Sequence, residues 1–448
     1  MAGRVSRLTG AAKNLPVPEG TYAIGAGLII TGAAAYGFQI IAAHQLSKSA
    51  FAALNGLWAI VFVVAPGLFQ PLEQEVARAV AHRRAQGIGG GPLVRRAAVL
   101  GAILMGSIAL IAAIFAKPLI DNLFHGYAWL LPALFVALGC YYLAHMTRGT
   151  LSGNGRFAAY GTMHASEGLV RIAFCALLAI AGSTLVGMYG IALALPPLFA
   201  VLISLRGQHN LLVPGPEAPY SELSSALGLL LVGSLLAQLL SYASFIGVTL
   251  LATPSQKDAA GLFITGLFVA RIPLLMFQAV QAALLPKLSG LAGEGRHDDF
   301  RAGMRRLLLI VVGLGVLGTV LATFLGPPIG KILFGDKWIM GDRDMFLLTL
   351  GAALFIVALT LAQGLIALKS YLQNAISWIV GIVVFVVTVE AIHPPGTNGL
   401  FLRNELAFVT GAGIAAILGG IFLVLRIRKG GATLEDLVEV IEHETLEI

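Results

Sequence analysis

Twelve stretches of about 20 mostly apolar residues recur along this chain, each long enough to cross a bilayer as a helix. They fall near 20–43, 50–72, 93–116, 127–147, 158–182, 184–205, 223–250, 260–286, 306–326, 345–368, 371–392 and 406–427. Of the 448 residues, 58% are hydrophobic and only 11% charged. No water-soluble core of that length can hide so much apolar surface. A cytosolic enzyme, a secreted disulfide scaffold and a disordered chain are all excluded. The sequence predicts an all-α, polytopic membrane protein with twelve transmembrane helices. Connections are short, so no soluble catalytic domain fits between them. The first stretch follows Arg4, Arg7 and Lys13 as a signal peptide would. Its apolar run continues to Ile41, too long for a cleaved leader, and it reads as a retained helix.

Charge sets the expected orientation. With the N-terminus inside, 20 of the 29 Lys and Arg fall on cytoplasmic segments and seven outside. Arg171 and Arg271 lie within spans. That asymmetry predicts both termini in the cytoplasm of a plasma or inner membrane. The net charge of +7 reflects this distribution and not a nucleic-acid groove. Residues 433–448 are acidic and open with a capping box, Thr433 to Asp436, which predicts a short cytoplasmic helix. Cys140 and Cys175 sit in apolar stretches and read as buried free thiols.

The two halves repeat each other in order. Phe69-Gln70 and Gly87 recur as Phe277-Gln278 and Gly295. Arg95-Arg96, Pro118 and Leu123-Phe124 recur as Arg305-Arg306, Pro328 and Leu333-Phe334. The two-residue slip between these sets falls at Gly89-Gly90-Gly91, read as a loop where insertion is cheap. The expected organisation is a cytoplasmic segment 1–19, a six-helix lobe 20–206, a Pro-rich cytoplasmic linker 207–222, a second lobe 223–428 and the acidic tail 429–448. Six helices per half is an even number, so the lobes should be related by a pseudo-two-fold axis along the membrane normal, as in alternating-access transporters.

Several stretches resemble a known family. They are Ala270-Arg271-Ile272-Pro273, Leu284 to Ser289, Pro327 to Gly335, Glu75 to Arg78 with Gln86-Gly87, and Arg148 to Phe157. Together they are similar to polysaccharide flippases of the O-antigen and teichoic-acid type, within the MATE-like superfamily of multidrug, oligosaccharidyl-lipid and polysaccharide exporters. The resemblance implies a transporter with no covalent chemistry and no cofactor. It would move polyprenyl-pyrophosphate-linked oligosaccharide from the cytoplasmic to the outer leaflet for cell-surface polysaccharide biosynthesis. Its partners would be the lipid-linked substrate, membrane lipid and glycan polymerases or glycosyltransferases, not nucleic acid. Two alternatives are a cation-coupled drug exporter of the same fold and a membrane glycosyltransferase or polymerase. The mid-membrane charges lean cationic, which disfavours the first. No long external acidic loop is present for the second.

Charge deep in a bilayer is costly and needs a partner or water. Arg171 lies about 18 Å into its span, with Glu167 one turn back. Arg271 is as deep in the other half, with no sequence-local acid. All three are candidates for a substrate-binding cavity between the lobes, because a planar guanidinium binds phosphate oxygens in pairs. Gln39 and Gln278 are candidate polar lining, and Pro66 and Pro273 candidate hinges. Glu73 and Glu75, beside Arg78, read as a solvated interfacial group. No phosphate-binding loop, metal-ligand cluster or nucleophile elbow is present.

Overall fold

The structure is a computed structural model that describes residues 21–219, 223, 227–272 and 296–428. Helices α1 to α6 are Thr21–Gln45, Lys48–Ala85, Gly91–Ile114, Leu130–Gly153, Phe157–Ile180 and Val186–Ser204. Helices α7 to α12 are Leu227–Leu251, Lys257–Ala270, His297–Phe334, Asp342–Ala367, Tyr371–Ala391 and Gly396–Arg428. Among the described residues no strand occurs, and eleven helices are long and apolar enough to cross a membrane. The stretch expected to span as 260–286 is described only to Ile272, as the 14-residue α8 and its last turn. The acidic tail, Pro273 and Gln278 lie outside the described residues.

Local signals explain the helix ends. Ser47 caps α2, its Oγ accepting from the Ala50 amide at 3.2 Å. Gly182, at φ 66, lets the chain turn out of α5, which separates two apolar runs that composition barely divides. Thr253 and Gln256 bond reciprocally to start the turn before α8. The regular helix of α8 stops at Ala270, three residues before Pro273 in the sequence.

Helix α2 departs from its expected length. The apolar pattern ends near residue 72, yet the helix continues to Ala85. Backbone hydrogen bonds do not require apolar side chains, and α2 keeps its ladder while turning polar. At Pro66 the helix widens into a π turn over Ala65–Phe69, because proline brings no amide to the ladder. In α9 the helix runs through Pro327 and Pro328, where an exit from the helix is expected.

Apolar rows on α3 (Ile103, Leu110, Ile114) and α9 (Leu309, Val316, Phe324, Ile332) face outward, as lipid-facing helices do. Within the N-terminal half, α1 packs on α5 and α2 on α4. Within the C-terminal half, α10 packs on α9 and α12, and α11 on α7 and α12. Of the repeat, Phe124 and Phe334 are both fully buried. Its partner segment 277–295 lies outside the described residues.

The linker is not a free spacer. Arg83 donates from Nη1 to the Gly89 and Pro216 carbonyls, both at 3.0 Å, and from Nη2 to the Glu217 carbonyl at 3.2 Å. The Gly91 amide donates to the Val213 carbonyl at 2.9 Å. A Cβ on Gly89 would overlap the Pro214 carbonyl. The glycine loop is therefore a docking surface and not a place where insertion is cheap. Ala218, Leu223 and Leu227 complete an apolar cluster with Leu72, Val76 and Val80 of α2.

Candidate functional site: a buried ion network and the seam between the halves

Helices α2, α4 and α5 bring eight polar side chains together inside the N-terminal half. Glu167 on α5 is the hub. Its Oε1 accepts from Arg171 Nη2 at 2.5 Å and from the Tyr141 hydroxyl at 3.3 Å, and its Oε2 accepts from Arg148 Nη2. Arg171 also donates to the Tyr141 hydroxyl at 2.8 Å and lies over the Phe62 ring. One turn toward the end of the network, Glu73 bonds His145 Nδ1 at 2.7 Å and accepts from the Tyr160 hydroxyl at 2.8 Å. His164 lies against Tyr160. Arg171 is 1% exposed and Glu167 3%. Two carboxylates thus face two guanidiniums and two imidazoles, which offsets much of the cost of taking charge out of water.

This placement corrects three sequence readings. Arg171 and Glu167 are buried inside the N-terminal half, where they bond each other and share Tyr141 and Arg148 as partners, and neither is open to a cavity between the halves. Arg148, read as a cytoplasmic loop charge, is a member of the network. Glu73 is not solvated, since His145 and Tyr160 cover it, and the Glu75 carboxylate is also buried where it pairs with Arg78.

The second constellation lies where α2 of the N-terminal half meets α8 of the C-terminal half. Asn55 Nδ2 donates to the Gly261 carbonyl at 3.2 Å, and a Cβ on Gly261 would overlap Ala52. Further along, Trp58 lies edge-on to Phe268, ring centroids 5.3 Å apart. Tyr36 of α1 donates to the Phe268 carbonyl at 2.8 Å. At the end of α8, Arg271 donates to the Ser241 carbonyl and, at 2.9 Å, to the Ser241 hydroxyl of α7. Its guanidinium lies 4.1 Å from the centre of the Tyr242 ring. Arg271 is partly exposed, and no acid lies within ion-pair distance of it among the described residues. Pro66 also belongs to this seam: its carbonyl accepts from the Ser234 hydroxyl of α7 at 3.3 Å, and Gly67 admits Leu235 of α7.

The end of the seam where α2 and α8 begin is fastened by polar contacts. Lys257 Nζ donates to the Asp121 carbonyl at 3.3 Å, Lys48 pairs with Asp336 at 3.7 Å, and His125 faces Asp258 at 3.6 Å. Burial lowers the His125 pKa below the ordinary histidine value, and Asp258 opposes this only in part. Sequence reasoning missed these contacts, since each joins residues more than 130 positions apart or on separate loops. Among the described residues no group of His, Cys, Asp and Glu could hold a metal ion, and both cysteines are buried and free.

Comparison with solved structures decides the architecture. An outward-facing multidrug resistance MATE family transporter of the MOP superfamily superposes with a TM-score of 0.70, covering 92% of this chain and 95% of that one at 17% identity. This chain has the MATE fold. A MATE in complex with MaL6 gives a TM-score of 0.69 at 16% identity over 92% of this chain and 96% of that one. A mutant of the Vibrio cholerae MATE transporter VcmN gives 0.64 at 17% identity, covering 90% and 98%. No protein-family profile matches the chain. In sequence it is 27% identical over 380 residues to uncharacterized protein Rv1510 of Mycobacterium tuberculosis (strain ATCC 25618 / H37Rv), covering 82% of this chain and 84% of that protein. The capsular polysaccharide biosynthesis protein CapF of Staphylococcus aureus is 25% identical over 118 residues, 26% of this chain and 30% of that protein.

Proposed function

We propose that this protein is a transporter that turns polyprenyl-pyrophosphate-linked oligosaccharide over from the cytoplasmic to the outer leaflet, by rocking the α1–α6 and α7–α12 halves about the seam. Both termini then lie in the cytoplasm, and the Lys48–Asp336 end of the seam faces outward. The observation that carries the reading is Arg271. A guanidinium at the seam, held by a carbonyl, a hydroxyl and a ring and, among the described residues, by no carboxylate, keeps its charge available for an anion. Pyrophosphate supplies paired oxygens that match its fork. The partial likeness to a capsular polysaccharide biosynthesis protein supports the same substrate class.

The test is flipping of a fluorescent polyprenyl-pyrophosphate glycan in proteoliposomes. Arg271→Ala should abolish flipping while the protein still folds. Arg271→Lys should recover only part, because an ammonium lacks the paired donors. Full flipping by Arg271→Ala would refute the reading. One observation favours the alternative of a cation-coupled drug exporter. Glu405 on α12 is fully buried, and neither of its carboxylate oxygens has a hydrogen-bond partner among the described residues. Efflux of a lipophilic cation that is lost in Glu405→Gln, with no glycan-lipid flipping, would select that alternative.

A further inference from the structure

The N-terminal half's side of the seam carries four buried polar atoms with no hydrogen-bond partner among the described residues. They are Oε1 and Nε2 of Gln39, Oδ1 of Asn55 and Nε1 of Trp58. Gln39 and Asn55 are 0% exposed and Trp58 3%. Asn55 and Trp58 are one turn apart on α2, and both touch α8. Gln39 follows Tyr36 by one turn on the side of α1 that reaches Phe268. Gly37, two residues away and so on the other side of α1, packs on Ile172 of α5. Asn55 and Trp58 therefore lie on the face that α8 covers, and Gln39 lies beside them on the side of α1 that carries Tyr36.

An orphaned buried donor or acceptor costs about 1–3 kcal/mol, and folded proteins rarely keep one. Leu, Met or Phe at these positions would fill similar volume without that cost. Four such atoms on one face of one seam call for a ligand that supplies their partners once the seam parts. The chemistry is specific. Three carbonyl-type or amide positions and an indole N–H offer two acceptors and two donors, with no charge among them. Trp58 stacks on Phe62 at 4.4 Å, giving a flat aromatic wall beside those atoms. Hydroxyl-rich rings with an apolar C–H face fit this arrangement. A lipophilic cation does not, because it has few hydroxyls to pair with these atoms and would seek a carboxylate.

We infer that Gln39, Asn55 and Trp58 form a saccharide-recognising subsite, sealed by α8 when the halves are packed together and opened when α2 and α8 separate. The inference rests on the glycan-lipid reading above and adds where the sugars lie. Phe268, which covers Trp58, is one turn from Arg271 on α8. Gly261, which covers Asn55, is about 15 Å from Arg271 along the helix. With pyrophosphate at Arg271, the first sugar lies beside Trp58 and later sugars extend toward Asn55.

Two probes test this in proteoliposomes: polyprenyl-pyrophosphate-linked N-acetylglucosamine and the same lipid bearing a tetrasaccharide. Asn55→Leu and Gln39→Met should raise the apparent KM for the tetrasaccharide lipid by about tenfold, the worth of one or two hydrogen bonds. The rise for the single-sugar lipid should be much smaller. Trp58→Phe, which keeps a ring and removes the N–H, should weaken both lipids. Gln39→Met and Trp58→Phe should not lower the melting temperature, since each removes only orphaned groups, whereas Asn55→Leu also gives up the bond to the Gly261 carbonyl and should lower it slightly. An equal KM rise for both lipids in Asn55→Leu, or no change for either, would overturn the subsite. If the wild-type protein moves neither lipid, the transport reading fails. Thermal stabilisation of the detergent-solubilised protein by free tetrasaccharide then decides the subsite alone. Stabilisation lost in Asn55→Leu supports it, and its absence in the wild type refutes it.

Discussion

Arg171 and Arg271 are the same side chain at similar depth in two halves of one bundle, and the structure treats them in opposite ways. Arg171 is sealed from solvent, bonded to Glu167 and Tyr141, with Arg148 sharing the same carboxylate. Arg271 is partly exposed and bonded to a neutral carbonyl and hydroxyl. A buried charge whose counter-charge is already in place is committed to architecture. A charge held only by neutral groups retains most of its attraction for an incoming anion. Intramembrane arginine is therefore not one functional signal. The nearest carboxylate in space decides which kind it is.

The comparison can be broken most sharply at Glu167. Glu167→Gln leaves two buried guanidiniums without their carboxylate, and loss of one partner of a buried pair costs about 3–5 kcal/mol. The variant should express poorly and melt well below the wild type in detergent. An unchanged melting temperature would mean that the network is not structural. Gly261→Val should act next most strongly, because its Cβ would meet Ala52 across the seam. It should fold, yet hold the halves apart, and a cysteine pair placed across α2 and α8 should lose most of its cross-linking. Normal cross-linking would show that the seam can relax around a side chain. Arg271→Ala should change stability by about 1 kcal/mol or less, as neutral surface hydrogen bonds do. A drop as large as that of Glu167→Gln would erase the contrast between the two arginines.

The smallest expected effect is a pH dependence at His125. Its pKa is lowered in the packed state, so packing favours the neutral ring. The contact is therefore fully present above the ordinary histidine pKa and is lost as pH falls through the lowered value. Acidification should favour separation of this end of the seam. Probe distances across residues 121 and 257 should increase modestly between about pH 7.5 and 5, and His125→Asn should flatten that response.

Much of the fold was legible because lipid imposes a length and a composition on every span. Among the described residues, all eleven helices long and apolar enough to span coincide with apolar stretches read from the sequence, and the Glu167–Arg171 pair follows from their spacing of one turn. The rest of the network was not legible. Glu73 lies past the end of the apolar run of α2, and Arg148 lies beside a basic loop, so both look solvated in one dimension. Only the packing of α2, α4 and α5 shows otherwise. Gln39 was legible as a polar residue in a span. That it lacks a partner depends on which helix covers it, and no local pattern carries that information. Gly89 and Gly91 were misread for the same reason, since the carbonyls they admit come from residues more than 120 positions later.

The docked linker would make α7 a lever in the rocking motion proposed above. Arg83 holds the linker, the Leu72–Leu227 cluster fixes the first turn of α7 to α2, and further along α7 packs on α2 as well as on α11 and α12. A 25-residue helix is about 36 Å long. Pivoting it by about 10° at Leu227 would carry its far end through about 6 Å, roughly the width of one helical turn. Such a pivot would leave the Leu227 end in place and move the opposite end, near where Lys257, Asp258 and Gly261 meet the N-terminal half. In the rocking motion proposed above, a small rotation at one end of α7 would open a gap large enough for a side chain or a sugar ring at the other.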